Sequence, residues 1–292
     1  MKLLLASLAF LIFAPVVCGL LAGFDRIITA RMQGRFGPPL LQPFYDVFKL
    51  FEKENLQVNK FFHSFYLICY LVFMLASGIL FFTGQDILLV IFAFTLADIF
   101  LVLAAYSTNS PYSFIGAERE LLLMMSAEPM ILISAVGFFM ATRHVTTASF
   151  KVADIVTAPS NLIICLPGVF IGLLFILTIK LRKSPFDLST SHHAHQEIVK
   201  GITTEFAGPS LAIVEIVHWY ETAIMLGIIF LFFAASPVLA IGVVLAAYFI
   251  EILIDNTFAR FKWELTLKSS WLVTIVFGGI NLVVLFIIDK VK

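Results

Sequence analysis

Eight apolar runs occupy most of this sequence, and they leave little choice of fold. They cover residues 3–24, 61–82, 87–106, 129–141, 162–181, 217–235, 237–254 and 270–288. Most are close to the roughly 20 residues that a helix needs to cross a bilayer. Of the 292 residues, 61% are hydrophobic and only 13% charged, with a mean hydropathy of +1.02. A soluble domain of this length has no way to hide so much apolar surface. The expectation is an all-α integral membrane protein with about eight transmembrane helices, forming one membrane domain over residues 1–292. The fourth run is short unless it starts near Glu120. Its polar beginning and Pro129 predict a broken or tilted helix.

The first run begins MKLLLASLAF and contains Cys18, which superficially resembles a cleaved leader. The run continues through residues 20–24 and has no small residue just before Cys18. It therefore reads as a retained first span. Cys18, Cys69 and Cys165 are scattered singly, with no metal or disulfide spacing. No redox centre is expected in this chain. The formal net charge of zero gives no electrostatic case for nucleic acid.

Lys and Arg are distributed unevenly between alternate loops. Loops one, three, five and seven hold 14 of the 19, and the other side holds 5. The positive-inside rule places the odd loops in the cytoplasm and both termini outside the cell membrane.

The polar centre is residues 180–221, KLRKSPFDLSTSHHAHQEIVKGITTEFAGPSLAIVEIVHWYE. It contains Asp187, Glu197, Glu205, Glu215, Glu221 and four of the six histidines. Glu215, His218 and Glu221 enter the sixth run at i, i+3, i+6. They rise about 4.5 Å per step and drift about 60°, forming a slanted ladder. Ionisable residues at membrane depth are costly and commonly mark an ion path. The plainer alternative is a wet loop with helix ends frayed into headgroups. His192, His193 and His195 suggest a metal, but no second ligand set follows, so a hydrated loop touching a partner is the simpler reading. Asp98, midway along the third run, either joins the ion path or pairs locally with Thr95 or Tyr106.

Loop one reads FDRIITARMQGRFGPPLLQPFYDVFKLFEKENLQ. After Pro38 and Pro39, Leu40, Phe44, Val47, Phe48 and Phe51 alternate with Gln42, Asp46, Lys49 and Lys53. This helical spacing predicts an amphipathic helix on the membrane surface.

These motifs carry a family resemblance. MQGRFGP followed by LQPFYDVFKLFEKE resembles the first loop of the membrane anchor of respiratory complex I, known as subunit 1/H, and its hydrogenase relatives. Complex I proteins have a longer Gly/Pro-rich insert between the two motifs, so the shortened loop looks like the hydrogenase branch. Loop three, STNSPYSFIGAERELLLMMSAEP, matches the family at Arg119 and Glu128. Glu118 and Glu120 depart from complex I and look like membrane-bound [NiFe]-hydrogenases and formate hydrogenlyases. In loop five, KSPFDL resembles the family's RxPFDL, and EFAG its EYSG, with Glu197 and Glu205 eight residues apart. STSHHAHQ replaces the acidic run that complex I carries near its quinone chamber.

The resemblance implies a membrane anchor in which helices two to six form a five-helix transporter-like unit. Its cytoplasmic loops would dock a hydrogenase-like large subunit and an iron–sulfur small subunit. The NiFe centre and iron–sulfur clusters would lie in those partners, with no cofactor in this chain. Antiporter-like membrane subunits would pump H⁺ or Na⁺. The implied ion path comprises Glu118, Glu120, Glu128, Glu197, Glu205, Glu215, His218, Glu221 and Asp98. Arg31, Arg35, Gln42, Asp46, Lys49, Arg119 and Asp187 would serve docking or structure. A sulfane or polysulfide reductase anchor and a quinone-binding complex I anchor remain open. A stand-alone secondary transporter is the reading from a different class. Under the resemblance, the residues that choose the electron acceptor lie in partner chains.

Overall fold

The computed structural model describes residues 2–54, 60–145, 148–189 and 200–291. Among them there is no strand, only an isolated bridge between Asp86 and Lys151. The helices are α1 (Lys2–Met32), α2 (Gln42–Phe51), α3 (Lys60–Phe82), α4 (Ile87–Tyr106), α5 (Pro111–Val145), α6 (Val152–Val156), α7 (Pro167–Lys180), α8 (Pro209–Leu231) and α9 (Pro237–Thr257). Then α10 (Trp263–Val273) passes through a π-helical turn, Thr274–Gly279, into α11 (Ile280–Val291).

Seven helical stretches are long and apolar enough to cross a membrane, and α7 is a shorter apolar helix beside them. This agrees with about eight spans. The large side chains sort by environment. Tyr70, Met74, Leu101, Met130, Phe138 and Phe232 are fully buried between helices, while Leu4, Ile12, Phe92, Val238 and Ile275 face outward. Such an apolar exterior suits a hydrocarbon solvent and no other.

Three boundaries differ from the sequence expectation. Pro129 does not break its helix: α5 runs through it for 35 residues. A proline removes one backbone bond, and packing against α4 and α7 on either side holds the rest in line. The fifth run is helical only from Pro167, after a 3₁₀ turn at Leu162–Ile164. Its 14 residues rise about 21 Å. A helix that begins inside an apolar bundle exposes N–H groups with no water to satisfy them. Asn281 of α11 supplies the partner. Its Oδ1 accepts from the backbone N–H of Gly168 at 3.0 Å and Val169 at 3.1 Å, and its Nδ2 donates to Cys165 O at 3.0 Å. Thirdly, α8 starts at Pro209, eight residues before the expected 217. The whole Glu215–His218–Glu221 ladder therefore lies on one helix.

The expected amphipathic helix is α2. Val47 packs with Cys18, Ala212 and Trp219, and the Phe44 ring lies 5.1 Å from that of Trp219. Phe48 and Phe51, assigned to the same apolar side by their spacing, are exposed. Close approach is possible because Gly23 of α1 has no side chain. A Cβ there would fall 2.1 Å from Leu40 O.

The connecting segments gather at two opposite ends. At one, Gln33 meets Asn256, Arg260 meets Asp187, and Ser113 meets Ile202. At the other, Asp86 meets Lys151, and His144 meets Asp289. These are the odd-loop and even-loop sides that the charge count separates.

Candidate functional site

The end of α7 is the hub. Within four residues it offers Lys180, Arg182 and Lys183, cations that also oppose the negative end of the helix dipole. Lys180 is buried, and its Nζ lies 2.6 Å from Asp98 Oδ2 of α4 and 4.6 Å from the centre of the Phe94 ring. Arg182 has φ of 51°, which turns the chain so that its guanidinium reaches two helices. Its Nη2 donates to Glu120 Oε1 of α5 at 2.7 Å, its Nε to the same oxygen at 3.2 Å, and its Nη1 to Glu221 Oε2 of α8 at 3.0 Å. A planar fork of donors is suited to this double engagement in a way that an ammonium is not. Lys183 pairs with Asp25 of α1 and, at 3.3 Å, with Asp255 of α9.

Burial alone would lower the affinity of Arg182 and Lys183 for their protons. Glu120 and Glu221 around the first, and Asp25 and Asp255 around the second, reverse the balance and hold both above their ordinary values. Both bases are thus fixed cations. On the carboxylate side the set is richer. Among the described residues, Asp98, Glu120 and Glu221 each keep one oxygen without a hydrogen bond, as does Glu128, within electrostatic reach of Lys180 and Asp98. Two cations, Lys180 and Arg182, face these four acids. Such a group can gain and lose protons collectively. The fully buried Tyr70 of α3 lies within electrostatic reach of Glu221, Asp98 and Glu120.

A polar cavity of about 780 Å³ leads into this network. Asp25, Lys183, Glu215, His218, Glu221 and Asp255 are among its walls. All three ladder residues of α8 border this cavity, and Glu221 joins it to Arg182. Beyond it, a pocket of about 10 Å³ is bounded by Glu120, Lys180, Arg182 and Glu221. That is about the room one water needs, with polar partners on several sides. It lies where the Arg182 cluster meets the Lys180 end of the network. A larger groove of about 960 Å³, lined by α1, α8 and α9 with residues of α3 and α6, has no charged lining.

The sequence candidates divide accordingly. Asp98, Glu120, Glu128, Glu215, His218 and Glu221 lie in or beside the network. Asp98 pairs with Lys180 rather than Thr95, whose hydroxyl bonds Phe92 O at 3.1 Å. Glu118 and Glu205 are exposed and stand outside it. Glu120 is not a charge at the membrane surface but only 4% exposed, because α5 begins nine residues earlier at Pro111. The base that neutralises it is Arg182, and Arg119 is half-buried on another side of α5. Glu197, His192, His193 and His195 lie outside the described residues. No group of His, Cys, Asp or Glu among the described residues is arranged to hold a metal ion.

The docking candidates form a second set. Arg31 stands over the Phe36 ring at 5.0 Å, Arg35 Nε donates to Gln33 at 3.0 Å, and Lys49 is exposed. Asp46 accepts from Arg26 at 2.6 Å and Gln42 at 2.8 Å. Partial burial pushes the Asp46 carboxyl up, but these two donors more than offset it and hold it below the usual value. Asp187 is buried, 2.8 Å from Arg260. Its burial outweighs that partner and pushes it up to about 7.

Sequence reasoning missed the hub. Lys180, Arg182 and Lys183 read as a positive-inside signal, though three bases abutting an apolar run also announce a set of partners. It likewise passed over Tyr70, Asp25, Asp255 and Glu251. Glu251 was legible as an acid inside an apolar run.

Comparison with known proteins is consistent across the chain's length. The family model described as NADH dehydrogenase matches residues 5–286. Hydrogenase-4 component C of Escherichia coli is 26% identical, with 92% of each chain covered. Formate hydrogenlyase subunit 4 of the same organism is 26% identical, covering 90% of this chain and 92% of that one. NADH-ubiquinone oxidoreductase chain 1 of Chlamydomonas reinhardtii is 27% identical, covering 85% of this chain and 86% of that one. A solved structure of a membrane-bound sulfane sulfur reductase, described as an archaeal respiratory membrane complex, contains a chain of the same fold. The TM-score is 0.82 at 22% identity, covering 98% of this chain and all of that one.

Proposed function

Because this chain belongs to the NADH dehydrogenase family, as the match over residues 5–286 establishes, we propose that it is the membrane anchor of a respiratory [NiFe]-hydrogenase complex, coupling electron transfer in a docked redox module to ion movement. The observation that carries this reading is the continuous set of ionisable groups from the open cavity to the middle of the bundle. Glu215, His218 and Glu221 line the cavity, Arg182 ties Glu221 to Glu120, and Lys180 ties α7 to Asp98. A plain anchor has no use for so many desolvated charges.

In this reading the charged end, with the 180–208 segment and α2, docks a hydrogenase-like large subunit and an iron–sulfur small subunit. Those partners hold the NiFe centre and the clusters. Movement of the docked segment shifts the α7 cations, and the carboxyls around them exchange protons in response. Helices α3, α4, α5, α7 and α8 act as a five-helix transporter-like unit. Antiporter-like subunits alongside complete the pumping of H⁺ or Na⁺. The hydrogenase assignment is supported by the similarity to hydrogenase-4 component C and formate hydrogenlyase subunit 4, together with the shortened first loop. A sulfane sulfur reductase anchor is the second reading, supported by the shared fold.

The test is ion uptake into inverted vesicles alongside turnover, with Glu221→Gln and Glu120→Gln. The expected result is turnover with a lowered ion-to-electron ratio. A wild-type ratio in both variants would make the network structural and overturn the coupling role.

A further inference from the structure

A buried acid lies outside the network just described. On α9, Tyr248, Glu251 and Asp255 project at i, i+3, i+7, toward α1 and α7. Glu251 is 0% exposed, and neither carboxyl oxygen has a hydrogen-bond partner among the described residues. Thr178 of α7 is the hydroxyl within hydrogen-bonding reach of Glu251, and it also meets Leu174 O at 3.5 Å. The charged groups acting on Glu251 are Lys183 and Asp255. Tyr248 shares its helix face, Asp25 approaches from α1, and His218 and Glu221 of α8 border the same cavity as Asp255.

An ionised carboxylate without a partner is far costlier to bury than a paired one. One neutral hydroxyl, that of Thr178, does not offset that cost, so a cation drawn to Glu251 would favour its ionised form. The cation within electrostatic reach is Lys183, now shared between Asp25 and Asp255. Asp255 is one helical turn from Glu251, about 6 Å along α9. A lysine side chain spans that distance by changing rotamers, and its three donors allow it to keep Asp255 while exchanging Asp25 for Glu251.

We propose that Glu251 is a proton-loading site switched by Lys183, forming a branch on α9 separate from the ladder on α8. With Lys183 on Asp25, Glu251 is a neutral carboxylic acid. When Lys183 swings to it, the O–H bond breaks, the carboxylate keeps the electron pair, and the proton leaves by Asp255 for the polar cavity. When Lys183 returns, Glu251 takes a proton back. The segment that moves Lys183 is the one that continues to Asp187 and the charged end, so docking movements reach α9 through it. This inference rests on the coupling role proposed above.

The experiment uses the intact complex. Redox-induced infrared difference spectra are recorded for wild type, Glu251→Gln and Lys183→Arg, with ion-to-electron ratios in inverted vesicles. The expected result is a carboxylic C=O band that disappears in Glu251→Gln and shifts in Lys183→Arg, and a ratio at least twofold lower in Glu251→Gln. An unchanged spectrum with a wild-type ratio in Glu251→Gln overturns the proposal. If Glu251→Gln does not assemble, an unshifted band in Lys183→Arg does the same. Glu221→Gln separates the two levels. If it uncouples pumping while Glu251→Gln does not, only the α9 branch fails. If both pump normally, the coupling role itself fails.

Discussion

Arg182 Nη1 lies 3.0 Å from Glu221 Oε2 across 39 residues of chain, joining the end of α7 to the middle of α8. The same guanidinium holds Glu120 of α5. One side chain thus ties α7, α5 and α8 together.

Removing that side chain strands two buried acids. Arg182→Gln is expected to cost about 3–5 kcal/mol, the usual scale for breaking a buried pair by deleting one partner. Arg182→Lys keeps the charge but lacks the fork, so only part of the stability returns. Adding Glu120→Gln to Arg182→Gln removes one stranded acid and should recover some of it. Thermal unfolding of the purified complex measures all three. Equal midpoints for Arg182→Gln and wild type contradict the bridge.

The exposed glutamates supply the contrast. Glu52, Glu54, Glu118 and Glu205 are all exposed. Each Gln variant should leave stability and the ion-to-electron ratio near wild type, since exposed charges contribute little, with Glu205→Gln, in the proposed docking segment, acting at most on how much redox module is bound. Side-by-side vesicle assays with Glu120→Gln provide the comparison. A loss of pumping in Glu205→Gln as deep as in Glu120→Gln would return Glu205 to the ion path.

Asp187 makes stability depend on pH in the direction opposite to an ordinary ion-paired aspartate. Its folded value, about 7, is above the 3.8 of an unperturbed carboxyl. Between those limits the folded protein keeps a proton that the unfolded chain has released. Its contribution is full below 3.8, falls as pH rises through the window, and is lost above about 7. Asp187→Asn should therefore flatten the decline in unfolding temperature between about pH 5 and 7. The same slope in variant and wild type would rule this out.

Sidedness follows from the charge count. An impermeant thiol reagent added to intact cells should label a cysteine at exposed Lys151 but not one at exposed Gly34. The reverse pattern would invert the topology and place the docking end outside the cell.

The sequence alone determined that this chain spans a membrane, roughly how often, and which loops carry charge. Hydropathy over about 20 residues is a local property, and a bilayer admits few alternatives to a helix. It also placed α2 correctly, because amphipathic spacing is read within ten residues. The slanted ladder Glu215–His218–Glu221 was legible for the same reason. Helix spacing could not show that Glu120 is buried while Glu205 is exposed. The first depends on α5 starting at Pro111, and the second on a 3₁₀ turn that buries Ile202 and Phe206 while leaving the Glu205 side chain outward. Nor could it show that Arg182 rather than Arg119 meets Glu120, since the partners are 62 residues apart. Pro129 suggests a break when read locally, because the neighbours that hold α5 straight are distant in sequence. Lys180, Arg182 and Lys183 look like a cytoplasmic charge signal until the fold brings Asp98, Glu120, Glu221, Asp25 and Asp255 around them. Which charge neutralises which is a matter of a few ångströms between helices, and only tertiary packing sets distances of that kind.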